Sequence, residues 1–86
     1  MKLNLRVEFN DSKVKDVTCS TSDLVAFENK YNISVTRLGE ETKLTHLLFL
    51  AWNSEVRTKA TTLEFDAWVD TVATVGASDL DPKSVA

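Results

Sequence analysis

A chain of 86 residues with 43% hydrophobic and 27% charged side chains has the composition of one small soluble domain. Its formal charge of −3 disfavours nucleic acid as a partner, because nucleic-acid binders usually carry a clustered basic surplus. The single cysteine excludes an internal disulfide, and no apolar run approaches the ~20 residues that a membrane helix needs.

The N-terminal segment predicts a β-hairpin. Apolar and polar residues alternate over residues 3–9, which is typical of a half-buried strand, and residues 10–12 have turn chemistry. Residues 13–18 offer a second strand, in which the spacing of Val14 and Val17 breaks the alternation and favours a bulge or a short pairing. Because two strands alone are marginal in water, we expect their apolar face to be covered by the rest of the chain.

Two amphipathic helices are predicted next. The first begins near Thr21 or Ser22, either of which can cap it, and its apolar positions share one face: Leu24, Phe27 and Tyr31. The second runs from about Glu40 to Arg57 and is apolar around most of its circumference. A helix of that kind normally lies at the centre of a domain.

A third helix is predicted after Thr61, which forms a capping-box pattern with Glu64. The apolar residues that follow have helical spacing: Phe65, Trp68, Val69 and Val72. Gly76 suits the end of this helix. The prediction is an α+β fold in which an N-terminal two-stranded antiparallel β-hairpin packs against three α-helices. Residues 1–76 form a single globular domain, and residues 77–86 form a polar C-terminal tail.

Catalytic and metal chemistry find little support in the sequence. Cys19 and His46 are the only residues of their types, and a cysteine nucleophile would need the histidine in contact and a third group to orient the imidazole. Lone residues of this kind are more often structural, so we predict no catalytic residue. One histidine and one cysteine fall short of the four ligands of a structural zinc site, and we predict no metal and no cofactor.

Three segments together resemble a known family: "SDLVAFENKYNISV" (residues 22–35), "LLFLAW" (residues 47–52) and "FDAWVDTV" (residues 65–72). In this order they resemble the small tail assembly chaperones of long-tailed bacteriophages, particularly those of phages that infect actinobacteria. The resemblance covers somewhat over half of the chain. The family commonly opens with a β segment and ends in a short polar tail. One departure concerns residues 53–59, which are less basic here than in the family and carry only Arg57 and Lys59.

The resemblance implies a non-enzymatic role in the host cytoplasm. Such proteins are thought to bind helical segments of the tape measure protein and to keep it soluble until the tail tube polymerises around it. They are expected to be absent from the mature virion. Many are made in two forms, the longer by a programmed ribosomal frameshift, and this chain would correspond to the short form. Further expected partners are a second copy of the chain and the longer form; no nucleic acid and no membrane are expected.

The predicted partner-binding residues are the large aromatic side chains of the second and third helices: Phe49, Trp52, Phe65 and Trp68. Trp is among the residues that most often dominate the energy of an interface. The other interpretation of Trp52 and Trp68 is that both simply fill the core, and the sequence leaves that choice open.

Other functions remain as alternatives. The first is a structural tail or head–tail adaptor protein of the virion, for which the same composition would serve. The second is a small regulator that binds one host factor. An enzyme that uses Cys19 and His46 ranks last.

Overall fold

The computed structural model describes residues 3–34 and 43–77. Within them the elements follow one another as β1 (Leu3–Phe9), β2 (Val14–Cys19), α1 (Thr21–Tyr31), α2 (Leu44–Arg57), α3 (Phe65–Val69) and β3 (Val72–Ala77). The predicted α+β class, with an N-terminal hairpin and three helices, is confirmed for this part of the chain. The third strand is an addition, and the strand order in the sheet is β2-β1-β3.

The sheet has one covered face and one open face. The covered face carries buried apolar side chains from every strand: Leu5, Val7, Val17, Cys19 and Val75. The open face carries exposed residues that include Arg6, Glu8 and Asp16. The β1–β2 register runs without a break from the Leu3–Cys19 pair to the Glu8–Val14 pair, so of the two predicted alternatives, a bulge or a short pairing, the bulge is not found in this pairing. The irregularity lies on the other side of β1, between Glu8 and Phe9, where β1 pairs with β3.

Helix α1 begins one residue earlier than the predicted caps allow. Ser20 is the N-cap, and its backbone N–H donates to the Asp23 carboxylate at 2.8 Å, which is half of a capping box. Leu24 and Phe27 are buried and Tyr31 is half-buried, so the predicted apolar face is confirmed.

Helix α2 is the central element, as its composition predicts. It packs against α1, α3 and all three strands, and its buried apolar residues are Leu48, Phe49, Leu50 and Ala51. It ends at Arg57 as predicted. The predicted start at Glu40 lies outside the described residues, and the observed helix begins at Leu44.

The third helix is much shorter than predicted. It ends at Val69, and its N-cap is Glu64 rather than Thr61, whose hydroxyl instead accepts the N–H of Leu63 at 3.2 Å. The prediction that the helix continues through Val72 to Gly76 is wrong, because both residues belong to β3. Val72 has helical spacing from the apolar residues before it, but it instead begins a strand that pairs with the edge of β1 opposite β2.

The C-terminal part of the described chain is held by that pairing. β3 runs antiparallel to β1, with Val75 opposite Val7 and Ala77 opposite Leu5. Of the predicted polar tail, only Ala77 is among the described residues. No helix within residues 3–34 and 43–77 combines the length and the apolar character that crossing a bilayer requires.

Candidate partner-binding surface

A series of aromatic side chains runs across the side of α2 that faces away from the sheet. Ser54 and Glu55 mark the sheet side of α2, because each bonds to β2. The 100° step between helical residues places Phe49 and Trp52 on the other side. The members of this aromatic row, contributed by α1, α2 and α3, are Phe27, Tyr31, His46, Phe49, Trp52 and Phe65.

Ring contacts connect the row from end to end. The Tyr31 and Phe49 ring centroids lie 5.5 Å apart at 87°, and the Trp52 and Phe65 centroids lie 5.5 Å apart at 71°. Phe49 links these two pairs, because its ring also lies 5.9 Å from Trp52 and 6.3 Å from Phe65. Edge-to-face geometries at these distances are favourable, so the rings hold one another in fixed orientations.

Part of the row is open to solvent. Tyr31, Trp52 and Phe65 are each half-buried. Two exposed aliphatic residues lie near Trp52: Val56, which follows it by one helical turn and is 40% exposed, and Leu63, whose carbonyl accepts the Trp52 N–H and which is 43% exposed. These five residues are called the aromatic surface below.

A hydrogen bond fixes the centre of the aromatic surface. The Trp52 indole N–H donates to the Leu63 carbonyl at 2.9 Å, which ties the connection between α2 and α3 against the ring. The indole therefore has its polar group satisfied within the chain, and the side chain is half-buried. A ring held in this way loses little conformational entropy when a partner covers it.

The four predicted partner-binding residues divide between core and surface. Trp68 is only 2% exposed and packs edge-to-face on Phe9 at 6.2 Å, and Phe49 is 7% exposed. Of the four, Trp52 and Phe65 are the two that are only half-buried. Phe49 instead supports these two rings from beneath.

Three residues of the aromatic surface escaped the sequence prediction: Tyr31, Val56 and Leu63. A signal existed for Val56, which follows Trp52 by one helical turn and therefore extends the same stripe. Leu63 carried no such signal, because the hydrogen bond from Trp52 brings it into place.

A buried polar cluster lies beside the aromatic row. The Asp23 carboxylate is fully buried and accepts hydrogen bonds from Arg57 at 3.0–3.2 Å, from the Asn53 amide at 2.8 Å and from the Ser20 N–H at 2.8 Å. Burial by itself would raise the pKa of Asp23, but these hydrogen bonds and the Arg57 charge hold it below its ordinary value. Asp23 is therefore an ionised anchor between the start of α1 and the end of α2.

The same cluster pairs Arg57, the charged residue at the end of α2, with an acid. Hydrogen bonding to Asp23 raises the pKa of Arg57, while its side chain remains 40% exposed. Glu55 is similarly engaged, because its carboxylate accepts from the Lys15 ammonium at 2.8 Å. Arg57, one of the two basic residues in the segment 53–59, is therefore already paired with an acid of the same chain.

Cys19 and His46 sit in separate environments. The Cys19 thiol is fully buried and donates to the Leu50 carbonyl at 3.4 Å; burial, reinforced by the Asp23 charge, raises the pKa of the thiol to about 12. His46 is 5% exposed and packs against the Phe27 and Tyr31 rings at 5.1 and 4.9 Å. No hydrogen bond joins the two residues in the described structure. The raised pKa keeps the Cys19 thiol protonated, whereas a cysteine nucleophile reacts as the thiolate.

Metal ligands are likewise dispersed. Among the described residues no group of three or more His, Cys, Asp or Glu side chains could hold a metal ion.

Comparisons of the chain with models of protein families, with curated proteins and with solved structures find no match.

Proposed function

We propose that this chain is a tail assembly chaperone of a long-tailed bacteriophage, which binds helical segments of the tape measure protein and keeps that protein soluble during tail assembly. One observation carries the proposal. Each of the three segments that resemble the family contributes one half-buried ring to the same surface: Tyr31, Trp52 and Phe65.

The aromatic surface has the chemistry that an amphipathic helix needs. Such a helix lays its apolar face into a hydrophobic groove or along an apolar stripe, and large rigid aromatic residues contribute most of the binding energy. Val56, one helical turn after Trp52, and Leu63, whose carbonyl accepts the Trp52 N–H, add two exposed apolar residues near that ring. Exposed apolar residues in contact with one another mark interaction sites more often than scattered ones do.

Solubility of the complex would come from the other side of the molecule. The open face of the sheet carries Arg6, Glu8 and Asp16, and the net charge of the chain is −3. An apolar surface on the helical side and a charged surface on the strand side suit a protein that covers an aggregation-prone partner.

Co-expression with the tape measure protein of the same phage tests the proposal. We expect wild-type chain to raise the soluble fraction of the tape measure protein, and Trp52→Ala to weaken the complex about 30-fold or more. Val56→Lys adds a charge to the aromatic surface at an exposed position and should also weaken it. Val14→Lys is the matched control, because Val14 is 57% exposed on the open face of the sheet.

Three outcomes would contradict the proposal. The first is a tape measure protein whose solubility does not depend on this chain, and the second is a Val56→Lys variant that binds as well as Val14→Lys. The third is the presence of the chain in stoichiometric amounts in purified virions by mass spectrometry, which would favour the structural tail or head–tail adaptor.

A further inference from the structure

The outer edge of β3 has backbone groups that no strand of the described chain pairs with. Two backbone bonds at the end of β1 show which residues face which neighbour. The Phe9 N–H donates to the Lys13 carbonyl on the β2 side, and the Asn10 N–H donates to the Thr71 carbonyl on the β3 side. Because alternate residues of a strand bond to opposite neighbours, Thr74 and Gly76 bond to β1. Val75 and Ala77 then direct their N–H and C=O groups away from the sheet.

The opposite edge, on β2, is protected. Lys15 of β2 points to the helical side of the sheet, where it pairs with Glu55, and the next residue is the charged Asp16. The Ser54 hydroxyl donates to the Thr18 carbonyl at 3.1 Å. Inward-pointing charges and covered backbone groups are devices by which proteins prevent edge-to-edge pairing.

Strand β3 carries none of these devices. Its sequence, VATVGA, has no charge and no proline, and it includes three β-branched residues. Gly76 has no left-handed backbone, and a Cβ added there would meet nothing within 4 Å. The isolated chain therefore does not require this glycine, and a glycine inside a strand often marks the close approach of another chain.

We propose that two copies of this chain pair through β3, antiparallel and about a two-fold axis at Val75, to form one continuous sheet. An isologous contact of this kind needs a self-complementary surface. Val75 would exchange both backbone hydrogen bonds with Val75 of the second copy. Gly76 would lie opposite Thr74 of the second copy on the open face.

Charge complementarity favours a second copy as the occupant of this edge. Within one chain, Arg6 lies beside Gly76 and Glu8 lies beside Thr74. The pairing therefore aligns Arg6 of one copy with Glu8 of the other, with Gly76 of the first copy and Thr74 of the second between them. The symmetry creates this row twice. Three strand spacings of ~4.8 Å separate the two backbones, and the missing side chain of Gly76 leaves room for Arg6 to extend along the row.

Arg6 can leave its contact with Asp16 for such a partner with little loss of stability. It bonds Asp16 at 3.2 Å, but both side chains are about two-thirds exposed, at 64% and 67%. Exposed ion pairs of this kind contribute little to stability. The contact lies on strand β3, so self-association and the proposed helix binding at the aromatic surface would not compete.

Sedimentation equilibrium over a concentration series tests the dimer. We expect Arg6→Glu to raise the dimer dissociation constant about tenfold, because it places Glu opposite Glu8 in both rows. The double variant R6E/E8R restores opposite charges across the interface and should return the constant to within about threefold of wild type. Both variants lose the Arg6–Asp16 bond, so that loss does not contribute to the difference between them.

Amide hydrogen exchange locates the contact. The Val75 and Ala77 amides should exchange more slowly as concentration rises, while the Asp16 and Thr18 amides on the β2 edge should not change. Each of three results would overturn the dimer. The chain could stay monomeric throughout the concentration range, or the β2 amides could gain more protection from exchange than the β3 amides. The third is a dissociation constant that Arg6→Glu leaves unchanged. Val56→Lys should leave dimerisation intact, so a failure of the proposed tape measure binding is distinguishable from a failure of this contact.

Discussion

The two halves of helix α2 use their side chains in different ways. In the C-terminal half, Asn53, Ser54, Glu55 and Arg57 each bond to a group elsewhere in the chain. In the N-terminal half and at Trp52, aromatic rings pack in series, and the outer rings keep accessible surface. The polar half therefore fastens the fold, and the aromatic half leaves apolar rings partly open to solvent.

This difference bears on the departure from the family pattern. The resemblance leads one to look for basic partner contacts after Leu-Ala-Trp, where this chain has Arg57. Arg57 already pairs with buried Asp23, and removing it would leave a buried carboxylate without its cation. A partner that recognised this end of α2 by charge would compete with the fold, whereas one that recognised Trp52 would not.

The largest expected effect concerns the buried member of the aromatic row. Phe49→Ala should lower the free energy of unfolding by about 3–5 kcal/mol, because it leaves a cavity between α2 and its neighbours. Phe65→Ala, at a half-buried ring of the same row, should cost clearly less. Urea titrations of both variants measure this, and equal losses would contradict the division of the row into core and surface.

The polar half is tested by removing its anion. Asp23→Asn keeps the shape of the side chain but weakens the hydrogen bonds to Arg57 and Ser20, and we expect a loss of about 2–3 kcal/mol in unfolding free energy. Asp66→Asn is the matched control at an exposed position and should stay within about 0.5 kcal/mol of wild type. If the two variants unfold at the same urea concentration, Asp23 is not an anchor.

A smaller effect is expected from pH. The folded pKa of Asp23 lies below the ordinary aspartate value of about 3.9, so its contribution to stability is present above that value and is lost as pH falls through the folded pKa. Below pH ~4, wild type should therefore lose more stability than Asp23→Asn. Acid titration of both proteins by circular dichroism measures the gap, and parallel curves would contradict the assignment.

The smallest effect concerns Cys19. Because its pKa is raised to about 12, the folded thiol should react with iodoacetamide far more slowly than the thiol of the urea-unfolded chain. The raised pKa also means that stability is present below the ordinary cysteine pKa of about 8.5 and declines as pH rises above it. Rapid alkylation of the native protein at neutral pH would show that the thiol is accessible.

Much of the fold was predictable from local patterns. Alternation over residues 3–9 and the stripe of Leu24, Phe27 and Tyr31 reflect faces that must be buried, whatever covers them. The site was only partly predictable. Trp52 and Trp68 look alike in sequence, and their different exposure follows from the path of the chain after Val69.

Sequence alone determined the hairpin, the first two helices and the central place of α2, because periodicity and composition act within each segment. Only the tertiary structure decided that residues 72–77 form a strand. The residues Phe65, Trp68, Val69 and Val72 satisfy helical spacing, but β1 offered an edge whose backbone groups needed partners, and β-branched Val72, Thr74 and Val75 suited it. That long-range pairing turns the chain back to the sheet, where it seals Trp68 against Phe9 and leaves Trp52 at the surface.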